Sequence, residues 1–351
     1  MESTVRSITE MFGLTTSQIH ILYSLEHLLT KQDIRENPKD IIYKEHWLER
    51  WSACLQSTVQ TEFQFLNHEE LLCAIQKESA ESVNQTWFYL IMLEGSLFQA
   101  YTSLGETKDE DKHYAKLKYK SQNVLLKEIA QASGIMNPLF IDRFQKAYQK
   151  SLDKISGKVQ RITLSAVSVV AVSAIAAATA GTLAGPVAVA LFGSNFVGLS
   201  GAALTSACLA MAGGGAIAAG GAGMAGGVAA IVGGGALLGA AGGGAAVSAA
   251  NLFAKALPSF ALSQAAKLEV VLKEIILNAQ KDIQSAQVIM DELKQQIHTL
   301  QKEMDDLILE NEENKSTRKN MEKAIAYLRK AYQDMAKFKT SYEIGLENAN
   351  G

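Results

Sequence analysis

Apolar residues recur along the C-terminal third of the chain at alternating steps of three and four positions. The spacing is unbroken from residue 276 to residue 307; polar residues then stand at positions 311, 314 and 318, and the pattern resumes in phase at Met321. Such a heptad seam is typical of coiled-coil helices. It predicts a coiled coil over 258–340 and a tail over 341–351, with a seam that includes Ile283, Met290, Leu293, Ile297, Leu300, Met304 and Leu307.

The polar interruption at 311–318 leaves two arrangements open for this coiled coil. Resumption in phase favours one long helix of roughly 60 to 75 residues, on the order of 100 Å at about 1.5 Å per residue. A hairpin of two helices that turns at the interruption fits the same pattern.

The N-terminal part of the chain also shows helical spacing. Residues 1–135 are predicted to form a domain of several short amphipathic helices, with candidate N-caps at Thr15-Thr16-Ser17 for one helix and a helix start at Asn67-His68-Glu69-Glu70 for another. A further helix over 138–161 begins at Asn137-Pro138, because proline is accommodated in a first helical turn. Its apolar face is Ile141, Phe144, Tyr148, Leu152, Ile155, Val159 and Ile162.

Between these regions lies a stretch of 93 residues, 162–254, without any Asp, Glu, Lys, Arg or His. We call it the charge-free segment. It contains 20 of the 27 glycines of the chain, and most of its other residues are Ala, Val, Ile and Leu. At about 20 residues per bilayer crossing it is long enough for roughly three or four spans. The sequence therefore predicts a Gly/Ala-rich hydrophobic segment that is transmembrane or able to insert into a membrane.

Glycines in this segment recur at intervals of four residues. Small residues at this spacing let two helices approach closely in a membrane. We expect them to mediate membrane insertion and helix packing, within one chain, in a homo-oligomer or with a related helical partner. The glycines concerned are Gly181, Gly185, Gly223, Gly227, Gly235, Gly239 and Gly243.

Cations flank the charge-free segment on both sides. Lys and Arg at the ends of a membrane helix commonly reach the lipid headgroups. Lys154, Lys158, Arg161 and Lys255 are therefore candidate membrane-interface cations. Permanent integration and conditional insertion from a form shielded by the chain's own helices both fit this pattern.

The overall pattern predicts an all-α protein, because no segment shows the sustained alternation of a strand. We expect a helical bundle with long coiled-coil helices and a Gly/Ala-rich hydrophobic, membrane-inserting helical segment. A net charge of −3 and a pI near 6.1 give no electrostatic footprint for nucleic acid.

No arrangement of residues in the sequence predicts an enzyme. The three cysteines are widely spaced, and the histidines lack metal-ligand spacing. Gly221, Gly223 and Gly226 match G-x-G-x-x-G, but a dinucleotide site needs an acidic residue about 20 positions later, and none occurs before Glu269. We therefore expect no catalytic residues, no metal and no cofactor. Residues 1–13 lack a secretory signal pattern. The expected localisation is membrane-associated, after synthesis in the cytosol or export by a non-Sec route.

The order of these features resembles the α-helical pore-forming toxins of the ClyA, Hbl/Nhe and XaxAB type. In those toxins a bundle of long helices carries a hydrophobic head that inserts into target membranes. Here a helix from Pro138 leads into the charge-free segment and a heptad helix from Ser259 leads out of it, over about 200 residues. The resemblance concerns layout and implies membrane insertion with assembly. The charge-free segment is longer than the usual inserting head, and the first 135 residues form shorter helices.

Two functions follow as hypotheses. The first is a membrane-inserting, oligomerising protein that permeabilises a lipid bilayer, as a pore-forming toxin or a defence effector does. The alternative is a coiled-coil scaffold or adaptor, constitutively anchored in a membrane, that recruits a partner through its helices.

Overall fold

In the computed structural model of the chain, the described residues are 11–58, 64–102, 104, 108–120, 122–157, 233, 237–238, 258–307 and 312–350. These residues form α-helices and one π-helical segment, and no strand occurs among them, as the all-α prediction requires. The helices are α1 Thr16–Glu36, α2 Ile41–Thr58, α3 His68–Glu81, α4 Thr86–Leu97, α5 Lys108–Tyr114, α6 Asn123–Ser133, α7 Leu139–Ser156, α8 Pro258–Val270, α9 Ile283–Asp305 and α10 Glu312–Asn350. The π-helical segment Val271–Ala279 continues α8.

Both predicted N-caps begin helices. Thr15 accepts a hydrogen bond from the Gln18 backbone N–H at 3.2 Å, and the Gln18 side chain accepts one from the Thr15 N–H at 3.0 Å. Asn67 and Glu70 make the same reciprocal pair at the start of α3. These capping boxes satisfy backbone donors that a helix start leaves unpaired, so the first residues of α1 and α3 are fixed locally.

Helix α7 buries the face that its spacing predicts but ends sooner than expected. Ile141, Phe144, Tyr148, Leu152 and Ile155 are all buried. Gly157 takes a left-handed conformation with φ +68°, and such a residue commonly ends a helix. The helix therefore stops at residue 156 rather than 161, and Val159 and Ile162 lie outside the described residues.

Helix α8 is the centre of the bundle. It packs against α7 on one side and α10 on another, and nearly every residue from 261 to 277 is buried, through α8 and the π-helical segment. A helix covered on all sides is normally apolar all round. This one instead carries four fully buried polar residues, namely Ser263, Gln264, Lys267 and Glu269.

The coiled-coil region is a hairpin, the second of the two predicted arrangements, and not one long helix. Lys281, with φ +56°, separates the π-helical segment from α9, and Asp282 caps α9 by accepting from the Ser285 N–H at 2.9 Å. A second break follows residue 305, after which α10 packs against α9. In the seam Met290, Leu293, Leu300 and Met304 are buried, whereas Ile283, Ile297 and Leu307 are partly buried.

An aromatic cluster fills the interior between α1 and α2. Trp47 stacks on Trp51 with ring centroids 5.8 Å apart, and Trp51 stacks on Phe65 at the same distance. His27 stacks on the other side of Phe65 at 4.2 Å. The Trp47 indole N–H donates to the Thr102 carbonyl at 2.7 Å, so the polar atom of this buried ring is satisfied.

Within the parts of the chain that the structure describes, no helix combines the length and the apolar character that crossing a bilayer demands.

The seam gives a first test of the hairpin. Leu293→Ala removes a side chain with no exposed surface, so we expect a loss of about 2–5 kcal/mol in the free energy of unfolding. Ile297→Ala, at a partly buried seam position, should cost less. Urea denaturation followed by circular dichroism measures both. A larger loss at Ile297 than at Leu293 would contradict this packing.

His27 gives a pH-dependent test of the aromatic cluster. Burial, with a smaller contribution from Lys31, lowers the pKa of His27 from 6.5 to about 4. As pH falls, His27 is therefore protonated in the unfolded chain before it is protonated in the folded one. The contribution of neutral His27 to the free energy of unfolding is complete above pH 6.5 and is lost as pH falls towards 4. His27→Gln removes this titration. Wild-type protein should lose more unfolding free energy than the variant between those pH values, and equal losses would contradict the assignment.

Candidate functional site

The structure describes three residues of the charge-free segment, and all three are buried in the helical bundle. They are Gly233, Leu237 and Leu238, and the two leucines are 0% and 3% exposed. Both belong to the same hydrophobic core as the N-terminal and C-terminal helices. The predicted glycines Gly181, Gly185, Gly223, Gly227, Gly235, Gly239 and Gly243, and the cations Lys158, Arg161 and Lys255, lie outside the described residues.

Gly233 lies where three parts of the bundle meet. A Cβ atom at this position would stand 2.6 Å from Leu90 Cδ2 of α4, 3.3 Å from Val271 Cγ2 of the π-helical segment and 3.7 Å from Phe12 Cδ1. Its φ of +61° is in the left-handed region that favours glycine. The backbone conformation therefore favours glycine here, and an added Cβ would have to displace the Leu90 side chain.

The Gly233 backbone contacts a buried ion pair. Its N–H donates to Glu94 Oε1 at 2.7 Å. Lys267 Nζ donates to both oxygens of the same carboxylate, at 2.9 Å to Oε1 and 2.8 Å to Oε2. Neither side chain of the pair has any exposed surface. We call Glu94, Lys267 and Gly233 the buried triad.

The buried triad joins three separate regions of the chain. Glu94 is the single charged residue of α4, whose other side chains are mostly apolar. Gly95, next to it, brings α4 close to α1 and α6, since a Cβ there would stand 3.1 Å from both Leu25 and Leu126. Lys267 lies on α8, which begins four residues after the charge-free segment ends. The carboxylate therefore lies between the helices before the segment and the helix after it.

Burial dominates the electrostatics of this site. It lowers the pKa of Lys267, and the neighbouring Glu94 carboxylate acts in the opposite direction. Burial likewise raises the pKa of Tyr148, which lies at hydrogen-bond distance from Ser263 on α8, at 2.9 Å. A charge pair out of water is tolerated only when its donors and acceptors find partners. The Gly233 N–H is one of those partners.

A second ionic network lies on the other side of α8. Glu269 Oε2 accepts from Ser151 Oγ of α7 and from Lys273 Nζ, both at 2.7 Å. Lys273 and Lys154 both contact Asp334 of α10. Lys154, a predicted membrane-interface cation, is thus paired with Asp334 of α10 near the C-terminal end of α7.

The C-terminal end of α7 is also bound to α10 by a hydrogen bond to its backbone. Lys330 Nζ of α10 donates to the Ile155 carbonyl at 3.0 Å. Lysine near a helix C-terminus satisfies a free carbonyl and interacts favourably with the helix dipole. The described ends of the chain on both sides of the charge-free segment are therefore anchored in one bundle.

The described residues offer binding chemistry at the buried triad. Among them no group of three or more His, Cys, Asp or Glu side chains is arranged to hold a metal ion. The buried triad has the donors and acceptors to hold a backbone amide in an apolar surrounding.

The sequence analysis missed the buried triad, although one signal for it was present. Glu94 is a lone acid in the apolar run from residue 87 to 98, and Lys267 is a lone base between Leu262 and Leu268. Charged residues are rarely fully buried unless they are paired. Two opposite charges in apolar helices are therefore candidates for a buried pair.

Comparison with known proteins adds no relative to this picture. No protein-family model, no curated protein and no solved structure matches the chain significantly.

Removing one partner of the ion pair tests its importance to the fold. In Glu94→Gln the side chain keeps its shape but Lys267 loses its counter-charge, so we expect a loss of about 3–5 kcal/mol in unfolding free energy at neutral pH. Without Glu94 the lowered pKa of Lys267 should fall further. The unfolded state then binds more protons than the folded state, and the variant should regain stability, relative to wild type, as pH rises towards about 10.

Asp142→Asn is the matched control for this measurement. Asp142 pairs with Lys127 at 2.8 Å, but both side chains are more than one-third exposed. The expected loss is at most about 1 kcal/mol, because solvent screens an exposed pair. Equal losses in the two variants, measured by urea denaturation, would contradict a structural role for the Glu94–Lys267 pair.

Proposed function

We propose that this protein inserts into a lipid bilayer, assembles there with copies of itself or a related helical partner, and permeabilises the membrane, as a pore-forming toxin or defence effector does. The observation that supports the proposal most directly is the burial of Gly233, Leu237 and Leu238 in the core of the helical bundle. These three residues of the charge-free segment thus have a protected place in the bundle.

The energetics of the segment support a change between two environments. Burying a leucine side chain contributes roughly 1.5–3 kcal/mol, whereas alanine and glycine contribute little. The segment is made largely of Ala and Gly, so each residue prefers an apolar environment only weakly. Burial of a segment of this composition against the helices of the same chain would therefore bring only a moderate gain in free energy. A bilayer offers an alternative apolar environment of the same kind.

The glycine spacing supports assembly in the membrane. Glycines four residues apart form a smooth helix stripe, and in lipid such stripes drive close helix packing. Gly235, Gly239 and Gly243 extend one stripe over three positions. In the proposed membrane form, these stripes pack helices of several copies around a permeable path.

The scaffold alternative has less support from the C-terminal helices. A coiled-coil adaptor needs a seam that is available to a partner, but the α9–α10 seam is covered by the chain itself, with Leu293 and Leu300 both at 0% exposure. A membrane-anchored adaptor would also associate with membranes whenever it is made and would cause no leakage.

Dye-loaded liposomes test the proposal. Purified full-length protein should release a small dye and retain a dye above a size cut-off. Gly239→Leu should reduce leakage, because a bulky side chain on the glycine stripe prevents close helix packing. The matched control is Gly345→Leu, at an α10 position with nothing within 4 Å of an added Cβ. Dye retention under all conditions, including destabilising ones, would rule out the proposed function, and constitutive membrane fractionation without leakage would favour the scaffold.

A further inference from the structure

We propose that the buried triad is a releasable latch: the Glu94–Lys267 pair retains Gly233 and the nearby Leu237 and Leu238 in the bundle by accepting the Gly233 N–H, and the pair stays internally satisfied when these residues leave. The consequence of release at a membrane rests on the proposed function. The latch itself is a property of the fold and is tested separately.

The hydrogen-bond geometry makes the contact reversible. Oε1 of Glu94 accepts from both Gly233 N, at 2.7 Å, and Lys267 Nζ, at 2.9 Å, and Oε2 accepts from Lys267 as well. If the segment departs, each carboxylate oxygen keeps a charged donor. Release therefore breaks one hydrogen bond and leaves no buried charge without a partner, which would be the costly outcome.

The surroundings of the contact select glycine. A side chain at position 233 would meet Leu90 at 2.6 Å, closer than real Cβ contacts occur, and φ +61° disfavours any residue with a Cβ. An alanine at this position would have to displace the Leu90 side chain and adopt a strained backbone conformation. The latch thus binds a glycine in the left-handed backbone conformation whose N–H points at Glu94.

The position of the latch connects segment and bundle. Glu94 and Lys267 are 173 residues apart in sequence and belong to helices on opposite sides of the charge-free segment. Leu237 and Leu238, which are buried in the apolar core, follow Gly233 within a few positions of the sequence. Loss of the Gly233 contact should therefore weaken the attachment of the neighbouring leucines, while α4 and α8 remain joined by the ion pair.

Amide hydrogen exchange of the full-length protein in the absence of lipid tests the latch directly. In Gly233→Ala we expect the amide at position 233 to exchange about tenfold faster or more, because exchange follows the local opening equilibrium. The matched control is Gly134→Ala, which has a similar φ of +68° but nothing within 4 Å of an added Cβ. Exchange of the amide at position 134 in this control shows the effect of backbone strain alone. Any larger acceleration at position 233 then reports the contact with Leu90. Adding Leu90→Ala to Gly233→Ala should restore part of the protection.

A second variant removes the acceptor instead of the glycine. Glu94→Leu with Lys267→Met replaces the pair by apolar side chains, an exchange that bundles often tolerate when both charges are removed together. The Gly233 N–H then has no acceptor in the pair. We expect its exchange to accelerate roughly 5- to 150-fold, the range for a buried donor left without its partner, while the amide of Leu293 in α9 keeps its wild-type rate.

The outcomes separate the latch from the proposed function. Wild-type exchange at position 233 in both variants would overturn the latch. Equal acceleration at position 233 and at Leu293 would also overturn it, because the pair would then support the whole fold. Selective acceleration at position 233 with faster dye leakage supports the latch and the proposed function together. Selective acceleration without leakage from any variant supports the latch and rules out membrane permeabilisation.

Discussion

A carboxylate and an ammonium that lie fully out of water constrain the centre of this molecule. Glu94 and Lys267 each have no exposed side-chain surface, and their mutual contact at 2.8 Å must offset the loss of hydration of two charges. That balance requires α4 and α8 to keep a fixed separation. It also requires apolar neighbours to exclude water, and Leu90 and Val271 lie beside the pair around Gly233.

The same constraint explains why α8 is the central helix. Its side chains face α7 and α10 as well as α4, so its polar residues need partners on every side. Ser263 lies against Tyr148, Lys267 binds Glu94 and Glu269 binds Ser151. These buried hydrogen bonds fix the rotation of α8 about its axis, which apolar contacts alone would specify less sharply. The helix that follows the charge-free segment is therefore held in one orientation by the helices that precede it.

Local features of the fold were predictable from the sequence, and long-range ones were not. The capping boxes at Thr15 and Asn67 and the buried face of α7 depend on residues within a few positions of one another, so spacing alone revealed them. The end of α7 at Gly157 and the break at Lys281 depend on left-handed residues that periodicity does not detect.

The hairpin of α9 and α10 was one of two open alternatives, since a heptad that resumes in phase fits a turn as well as a continuous helix. The buried triad was missed for a different reason, since the lone charges Glu94 and Lys267 do not show in the sequence that they pair with each other. Glu94 is 139 residues from Gly233 and 173 residues from Lys267, and no local pattern pairs them. The resemblance to helical pore-forming toxins remains a prediction that concerns the order of features.

Apolar burial and the latch perform different tasks in retaining the charge-free segment. Glycines and alanines recur throughout the segment, including the runs 213–215, 233–235 and 242–244, so apolar contact alone would accept many registers. A buried polar contact discriminates between registers, as a single buried polar residue does in a coiled coil. A glycine with positive φ can donate its N–H to Glu94 and still fit beside the Leu90 side chain. The proposed conversion between bundle and bilayer is therefore compatible with one defined place for Gly233 in the bundle.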